Sequence, residues 1–121
     1  MSKCIMTVDD SPTIREMLGV TLRDAGFRVV EARDGREALR KLAQTPVDLL
    51  VTDLNMPELG GIELVREVRG LPGQRFLPII MLTSESEGDL RQRGKAAGAS
   101  GWILKPFKPT QLLSVVRMVL K

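Results

Sequence analysis

The chain alternates short apolar runs with longer segments in which apolar residues recur every three or four positions. The short runs are typical of β-strands, and the longer segments are typical of amphipathic helices. Five strands are predicted in this way, at Cys4–Val8, Arg28–Ala32, Asp48–Thr52, Pro78–Leu82 and Gly101–Leu104. No low-complexity stretch or obvious linker separates them, so we expect one domain over residues 1–121.

A helix is predicted after each strand, and capping residues mark several boundaries. Ser11 is a suitable cap and Pro12 a suitable first residue for the first helix, which Gly26 can end. Asp34 can cap the second helix. The other three are predicted at about Ile62–Arg69, Gly88–Ala97 and Pro109–Leu120.

This alternation predicts an α/β fold, a doubly wound (βα)5 sandwich in which helices cover both faces of a five-stranded parallel sheet. Four strands are continuous apolar runs, as expected of strands that are buried on both faces. The run RVVEA (Arg28–Ala32) is more polar, and we therefore expect that strand at an edge of the sheet.

The composition agrees with a globular protein, at 43% hydrophobic and 27% charged residues. No segment approaches the roughly 20 apolar residues that a membrane-spanning helix needs, and the start of the chain lacks a signal-peptide pattern. We therefore expect a cytoplasmic protein that does not insert into a membrane.

The net charge of +3 and a pI near 9.4 would permit nucleic-acid binding. However, basic and acidic residues alternate along the predicted helices, as in EARDGREALRK, and aromatic residues make up only 3% of the chain. This pattern indicates a solvated surface, so we expect no nucleic-acid partner.

The absence of histidine limits the chemistry further, because it removes the commonest general base and transition-metal ligand. The single cysteine, Cys4, begins an apolar strand and is expected to be a buried, unreactive thiol. Carboxylates, hydroxyls and lysines are therefore left to carry any reaction.

Polar residues of these types stand where the predicted strands end. Asp9 and Asp10 follow the first strand, Asp53 the third, Thr83 the fourth and Lys105 the fifth. The carboxyl ends of parallel strands share one edge of the sheet, which is where open α/β folds bind ligands. Each residue alone could be a helix cap, a loop acid or a surface side chain, but together they favour a site.

Three carboxylates at one edge repel one another by about 1–4 kcal/mol per pair at roughly 4 Å. A hard divalent cation would offset that repulsion, and a ligand set made only of oxygen atoms favours Mg²⁺. Lys105 and Thr83 could then hold an anion beside the metal.

Four segments, VDDSPTIR, DLNMPELGG, MLTSE and GASGWILKPF, together resemble the response regulator receiver domain family in order and spacing. The resemblance covers essentially the whole chain and is strongest to the single-domain chemotaxis (CheY-like) type. It implies a flavodoxin-like fold with strand order 2-1-3-4-5.

The resemblance implies that Asp53 is the phosphoacceptor. Asp10 and Asp53 would bind Mg²⁺ directly, Asp9 would act largely through water, and the backbone carbonyl of Asn55 would supply a further ligand. Pro57 and Gly61 would shape the loop that follows the phosphoacceptor strand.

It also implies a phosphoryl-binding and switch set of Thr83, Ser84, Trp102 and Lys105. Lys105 would contact a phosphoryl oxygen, and Thr83 would turn inward to bond another. The Lys105-Pro106 peptide is usually cis in the family. Members usually carry tyrosine, phenylalanine or histidine in place of Trp102, so the indole either turns inward with the switch or stays locked by its bulk.

The implied function is a phosphorylation-activated switch of a two-component system, which takes a phosphoryl group from a sensor histidine kinase. Its target would be a downstream protein such as a flagellar motor switch component. It would act as a monomeric signalling protein rather than an enzyme, modifying only its own Asp53. Alternatives within the family are a phosphorelay intermediate and a receiver excised from a larger regulator.

Two other classes fit less well. An aspartyl-nucleophile phosphatase would need a second acid two residues after Asp53, where this chain has Asn55. A flavodoxin-like electron carrier would place a flavin phosphate against three carboxylates, and with no tyrosine and one tryptophan the chain offers little for the flavin ring to stack on.

Overall fold

The computed structural model of the chain describes residues 2–54, 56, 59–83 and 98–120. These residues form five strands: β1 (Cys4–Val8), β2 (Arg28–Ala32), β3 (Leu49–Asp53), β4 (Ile79–Thr83) and β5 (Gly101–Leu104). They also form helices α1 (Pro12–Asp24), α2 (Gly35–Leu42) and α3 (Gly61–Arg69), and a C-terminal helix α4 (Pro109–Val119). The fourth predicted helix, at residues 88–97, lies outside the described residues.

All five strands pair in parallel in the order β2-β1-β3-β4-β5, which confirms the predicted fold class and strand order. Two apolar clusters fill the two faces of the sheet. One lies under α2 and α3 and includes Leu42 and Val65. The other lies under α1 and α4 and includes Leu22 and Leu112.

Both predicted caps are present. The side chain of Ser11 accepts a hydrogen bond from the Ile14 N–H at 3.3 Å, and that of Asp34 accepts one from the Glu37 N–H at 2.8 Å. Gly26 follows the end of α1 with a φ of +98°, a conformation that glycine adopts at low cost.

The boundaries predicted for two of the strands are wrong by one residue. β3 and β4 each begin and end one position later than expected, because backbone hydrogen bonding continues past Thr52 and Leu82. The Leu54 N–H donates to Leu82 O at 2.8 Å, and the Lys105 N–H donates to Thr83 O. Asp53 and Thr83 are therefore the last residues of their strands rather than the first residues of loops.

β2 lies at an edge as predicted, and β5 forms the opposite edge. The apolar run of β5 favoured a strand buried on both faces, but only Ile103 is buried there, and Leu104 is 42% exposed. Among the described residues, no helix has the length and apolar character needed to cross a bilayer.

Candidate functional site

The three aspartates predicted from the strand ends lie together at the carboxyl edge of the sheet. Asp9, Asp10 and Asp53 each offer a carboxylate oxygen, and these oxygens all lie within 4.8 Å of one another. Asp9 and Asp53 are buried, whereas Asp10 is exposed. We call these three residues and Lys105 the acidic pocket.

Lys105 enters this pocket from the end of β5. Its Nζ donates to Asp53 Oδ1 at 3.0 Å and to Asp9 Oδ2 at 3.2 Å. Burial on its own would lower the pKa of Lys105, but the hydrogen bond and charge of Asp53, with those of Asp9, raise it above its ordinary value. The ammonium therefore stays charged at neutral pH and offsets part of the repulsion between the acids. The Lys105-Pro106 peptide is cis, as the resemblance implied.

Backbone packing places Asp53 at the entrance of the loop that leads to α3. The Gly61 N–H donates to Leu54 O at 2.9 Å, which draws the start of α3 against the end of β3. A Cβ atom on Gly61 would lie 2.8 Å from Leu54 Cα and would also contact Asp53 O. Only glycine allows this approach, in agreement with the role predicted for Gly61. Asn55 and Pro57, the other loop residues singled out from the sequence, lie outside the described residues.

The predicted switch residues are described in part. Thr83 is fully buried at the end of β4, and Ser84 lies outside the described residues. Trp102 pairs with Met81 across β4 and β5 and packs against the core cluster under α2 and α3. Its Nε1 is buried and has no hydrogen-bond partner in the part of the chain that the structure describes.

Sequence reasoning missed one residue beside the pocket. Arg15, on the first turns of α1, donates from Nη1 to the backbone oxygen of Asp9 at 2.7 Å. Its Nε also lies 3.5 Å from Glu31 Oε1 on β2. Arg15 is the last residue of the segment VDDSPTIR, but the sequence does not indicate its contact with Asp9, because that contact depends on how α1 packs beside an edge strand.

The donor atoms of the pocket fit Mg²⁺. Three carboxylates converge without a nitrogen or sulfur ligand among the described residues, and the exposure of Asp10 leaves room for the water molecules that Mg²⁺ retains. An acidic cluster with one fixed ammonium is suited to hold a phosphoryl group between a cation and Lys105.

Comparison with known proteins decides between the classes that share this fold. A sequence profile of the response regulator receiver domain matches residues 5–117. The chain belongs to the response regulator receiver domain family.

Relatives of this receiver domain include one protein that it covers almost entirely and others that it covers by about half. It is 42% identical over 104 residues to the chemotaxis protein CheY of Pseudomonas aeruginosa. The matched region covers 85% of this chain and 84% of that protein. It is 36% identical over 121 residues to the phosphate regulon transcriptional regulatory protein PhoB of the same organism. That match covers 100% of this chain and 53% of PhoB, so the chain spans about half the length of the transcriptional relatives it matches.

Solved structures of receiver domains superpose closely. The chemotaxis protein CheY4 of Vibrio cholerae, crystallised at low pH, has a TM-score of 0.97 and 45% identity, covering 99% of this chain and 100% of that one. The receiver domain of the sensor histidine kinase PA1611 of Pseudomonas aeruginosa has a TM-score of 0.91 and 29% identity. The match covers 99% of this chain and 98% of that one. A magnesium ion is coordinated in the active-site cleft of the PA1611 domain.

Proposed function

We propose that this receiver domain accepts a phosphoryl group on Asp53 from the phosphohistidine of a sensor histidine kinase, in a Mg²⁺-dependent reaction, and then signals to a downstream target. The observation that carries the proposal is the contact of the Lys105 ammonium with Asp53 at 3.0 Å, inside a pocket that two further carboxylates complete. The nucleophilic oxygen of Asp53, the ammonium of Lys105 and the carboxylates that would hold Mg²⁺ thus lie close together in one pocket.

In the proposed reaction, a carboxylate oxygen of Asp53 attacks phosphorus, an oxygen–phosphorus bond forms, and the bond from phosphorus to the donor imidazole nitrogen breaks. Phosphoryl transfer depends mainly on positioning and on neutralising the equatorial oxygens. Lys105 supplies one positive charge to those oxygens, and its raised pKa keeps that charge in place at neutral pH.

Asp10 and Asp53 would hold Mg²⁺ directly, Asp9 would act through water, and the carbonyl of Asn55 would add a ligand. When bound, the ion supplies the second positive charge beside the phosphoryl group. Thr83, buried at the end of β4, would bond a phosphoryl oxygen, with Ser84 beside it.

Within the family, we assign the domain to chemotaxis, with a target such as a flagellar motor switch component. Identity to the two chemotaxis proteins is 42% and 45%, against 36% to PhoB. Those matches also extend over most of each chemotaxis protein, at 84% of CheY and 100% of the CheY4 chain.

We propose a monomeric cytoplasmic protein with one receiver domain over residues 1–121. A phosphorelay intermediate or the receiver of a longer regulator is the alternative, which the flanking coding sequence distinguishes.

The test is reaction of the purified chain with acetyl phosphate, with and without Mg²⁺, followed by intact-mass spectrometry. We expect the mass of one added phosphoryl group with Mg²⁺, no addition in EDTA, and none on Asp53→Asn. Asp24→Asn, which removes a carboxylate at the end of α1, is the matched control and should react like wild type. Undiminished labelling of Asp53→Asn would contradict the assignment.

A further inference from the structure

Asp9 is held at each of its polar groups. Its N–H donates to Ala32 O at 3.2 Å, and its Oδ1 accepts from the Ser11 N–H at 2.9 Å. Its Oδ2 accepts from Lys105, and its carbonyl oxygen accepts from Arg15 at 2.7 Å. Among the described residues, Arg15 is the only charged side chain that contacts the backbone of this loop, because Lys105 contacts only the side chain of Asp9.

The carbonyl of Asp9 belongs to the peptide that leads into Asp10. The Asp10 side chain is exposed and makes no hydrogen bond or ion pair within the described part of the chain. Among the described residues, only the backbone that precedes it therefore limits where its carboxylate can lie. The bond from Arg15 fixes that backbone with a charged donor, and charged hydrogen bonds are shorter and stronger than neutral ones.

Glu31 on β2 determines where the Arg15 guanidinium sits. Glu31 Oε1 lies 3.5 Å from Arg15 Nε, and Glu31 Oε2 accepts from Arg23 Nη2 at 3.0 Å. The glutamate is thus held by two arginines of α1, of which only Arg15 also reaches Asp9. Without Glu31, the Arg15 guanidinium would be free to turn toward the nearby carboxylates and to compete with a metal ion for them.

We propose that Arg15 is a positioning residue for the acidic pocket. It holds the Asp9–Asp10 turn in the geometry that binds Mg²⁺, while Glu31 retains its guanidinium at the Asp9 carbonyl. The inference rests on the Mg²⁺ binding of the proposed function. It adds a residue that touches neither the ion nor the phosphoryl group.

The sign of the effect separates positioning from simple electrostatics. If Arg15 acted only as a nearby positive charge, its removal would strengthen Mg²⁺ binding, and the change would shrink as salt screens the interaction. If it positions the turn, its removal weakens binding, and added salt does not reverse the loss. Substitution of groups that orient metal ligands typically costs roughly 10-fold to 100-fold in metal affinity.

The experiment is calorimetric titration of Mg²⁺ into the metal-free full chain, at low and high ionic strength. We expect Arg15→Gln to raise the Kd for Mg²⁺ by roughly 10-fold, at the lower end of that range because the contact is to backbone. Arg15→Lys keeps the charge and should give an intermediate Kd, and Glu31→Gln should also raise it. Arg23→Gln is the matched control: it removes an arginine that contacts Glu31 but not Asp9, and we expect a Kd within about twofold of wild type.

Melting in EDTA confirms that each variant is folded at the titration temperature, and if Arg15→Gln does not fold, Arg15→Lys and Glu31→Gln provide the same comparison. A Kd that is unchanged or lower in the Arg15 variants, with normal binding by wild type, overturns the positioning role alone. An increase of equal size in Arg23→Gln also overturns it, because the loss would then follow from removing either arginine that contacts Glu31 and not from the contact between Arg15 and Asp9. Absence of Mg²⁺ binding by wild type overturns the proposed function and this inference together.

Discussion

Replacing Asp10 by asparagine removes one of the three converging carboxylates and keeps the shape of the side chain. Lys105 contacts Asp9 and Asp53 but has no contact with Asp10, so the pocket with its lysine carries a formal charge of −2. In the absence of Mg²⁺, this excess charge destabilises the fold. We therefore predict that Asp10→Asn raises the thermal stability of the metal-free protein.

The magnitude follows from the geometry. The carboxylate oxygens lie within 4.8 Å of one another. Two unit charges about 4.8 Å apart repel by about 0.9 kcal/mol at the dielectric constant of water and by about 3.5 kcal/mol at an effective value near 20. Because Asp10 is exposed, the lower figure applies, and Lys105 offsets part of its repulsion with the two buried acids. The expected gain is about 1 kcal/mol, or roughly 3–5 °C in Tm for a domain of this size.

The assay is thermal unfolding followed by circular dichroism, in EDTA and then in excess Mg²⁺. Asp10→Asn should melt above wild type in EDTA. It should lose most of the further increase that Mg²⁺ gives wild type, because the stabilisation by a ligand grows with the ratio of its concentration to its Kd, and the substitution raises that Kd. Glu67→Gln, which removes an exposed carboxylate at the far end of α3, is the control for net charge. A lower Tm than wild type in EDTA would refute the reasoning from repulsion.

Three further predictions concern single residues. Trp102 is the only tryptophan and there is no tyrosine, so intrinsic fluorescence reports on this one site. Beryllofluoride added after Mg²⁺ should change the emission of Trp102 further, and Thr83→Ala should abolish that change. No added response in wild type means that the indole is locked. Gly61→Ala should lower the unfolding free energy measured in urea by about 1–3 kcal/mol, because a Cβ there would lie 2.8 Å from the Leu54 Cα. Gly70→Ala is the control: a Cβ there would have no contact closer than 3.6 Å, so the urea midpoint should change little. Burial, the largest influence, raises the pKa of the Cys4 thiol above its ordinary value, so this buried thiol should react with DTNB at about pH 8.5 only as urea unfolds the chain. Rapid reaction in native buffer would contradict its burial.

Local chemistry accounts for the parts of the fold that were predicted correctly. The Ser11 and Asp34 caps need only a side-chain oxygen and the next helical turn, and both form as expected. The convergence of Asp9, Asp10 and Asp53 follows from parallel topology, which brings strand ends to one edge whatever the packing. The ends of β3 and β4 were predicted one residue early, because hydrogen bonds with neighbouring strands extend both strands. The run of apolar residues does not indicate such bonds.

The missed features all depend on contacts between distant segments. The sequence predicts that Lys105 holds an anion beside the metal, and that role stays a prediction. Its contacts with Asp9 and Asp53 were not predicted, and they form because β5 and the strands that carry those acids end at the same edge. Arg15 reaches the Asp9 carbonyl only because α1 packs beside β2. No feature of the sequence indicates that the buried N–H of Trp102 lacks a hydrogen-bond partner within the described chain.

The central claim is that Asp53 carries the phosphoryl group, and chemical mapping of the modified residue tests it most directly. The chain is treated with acetyl phosphate and Mg²⁺, the acyl phosphate is reduced with borohydride, and the peptides are sequenced by tandem mass spectrometry. We predict that the reduced aspartate, converted to homoserine, occurs at Asp53 and is absent when Mg²⁺ is withheld. Homoserine at Asp9 or Asp10 instead, or at no position in a chain that had gained phosphate, would contradict the account.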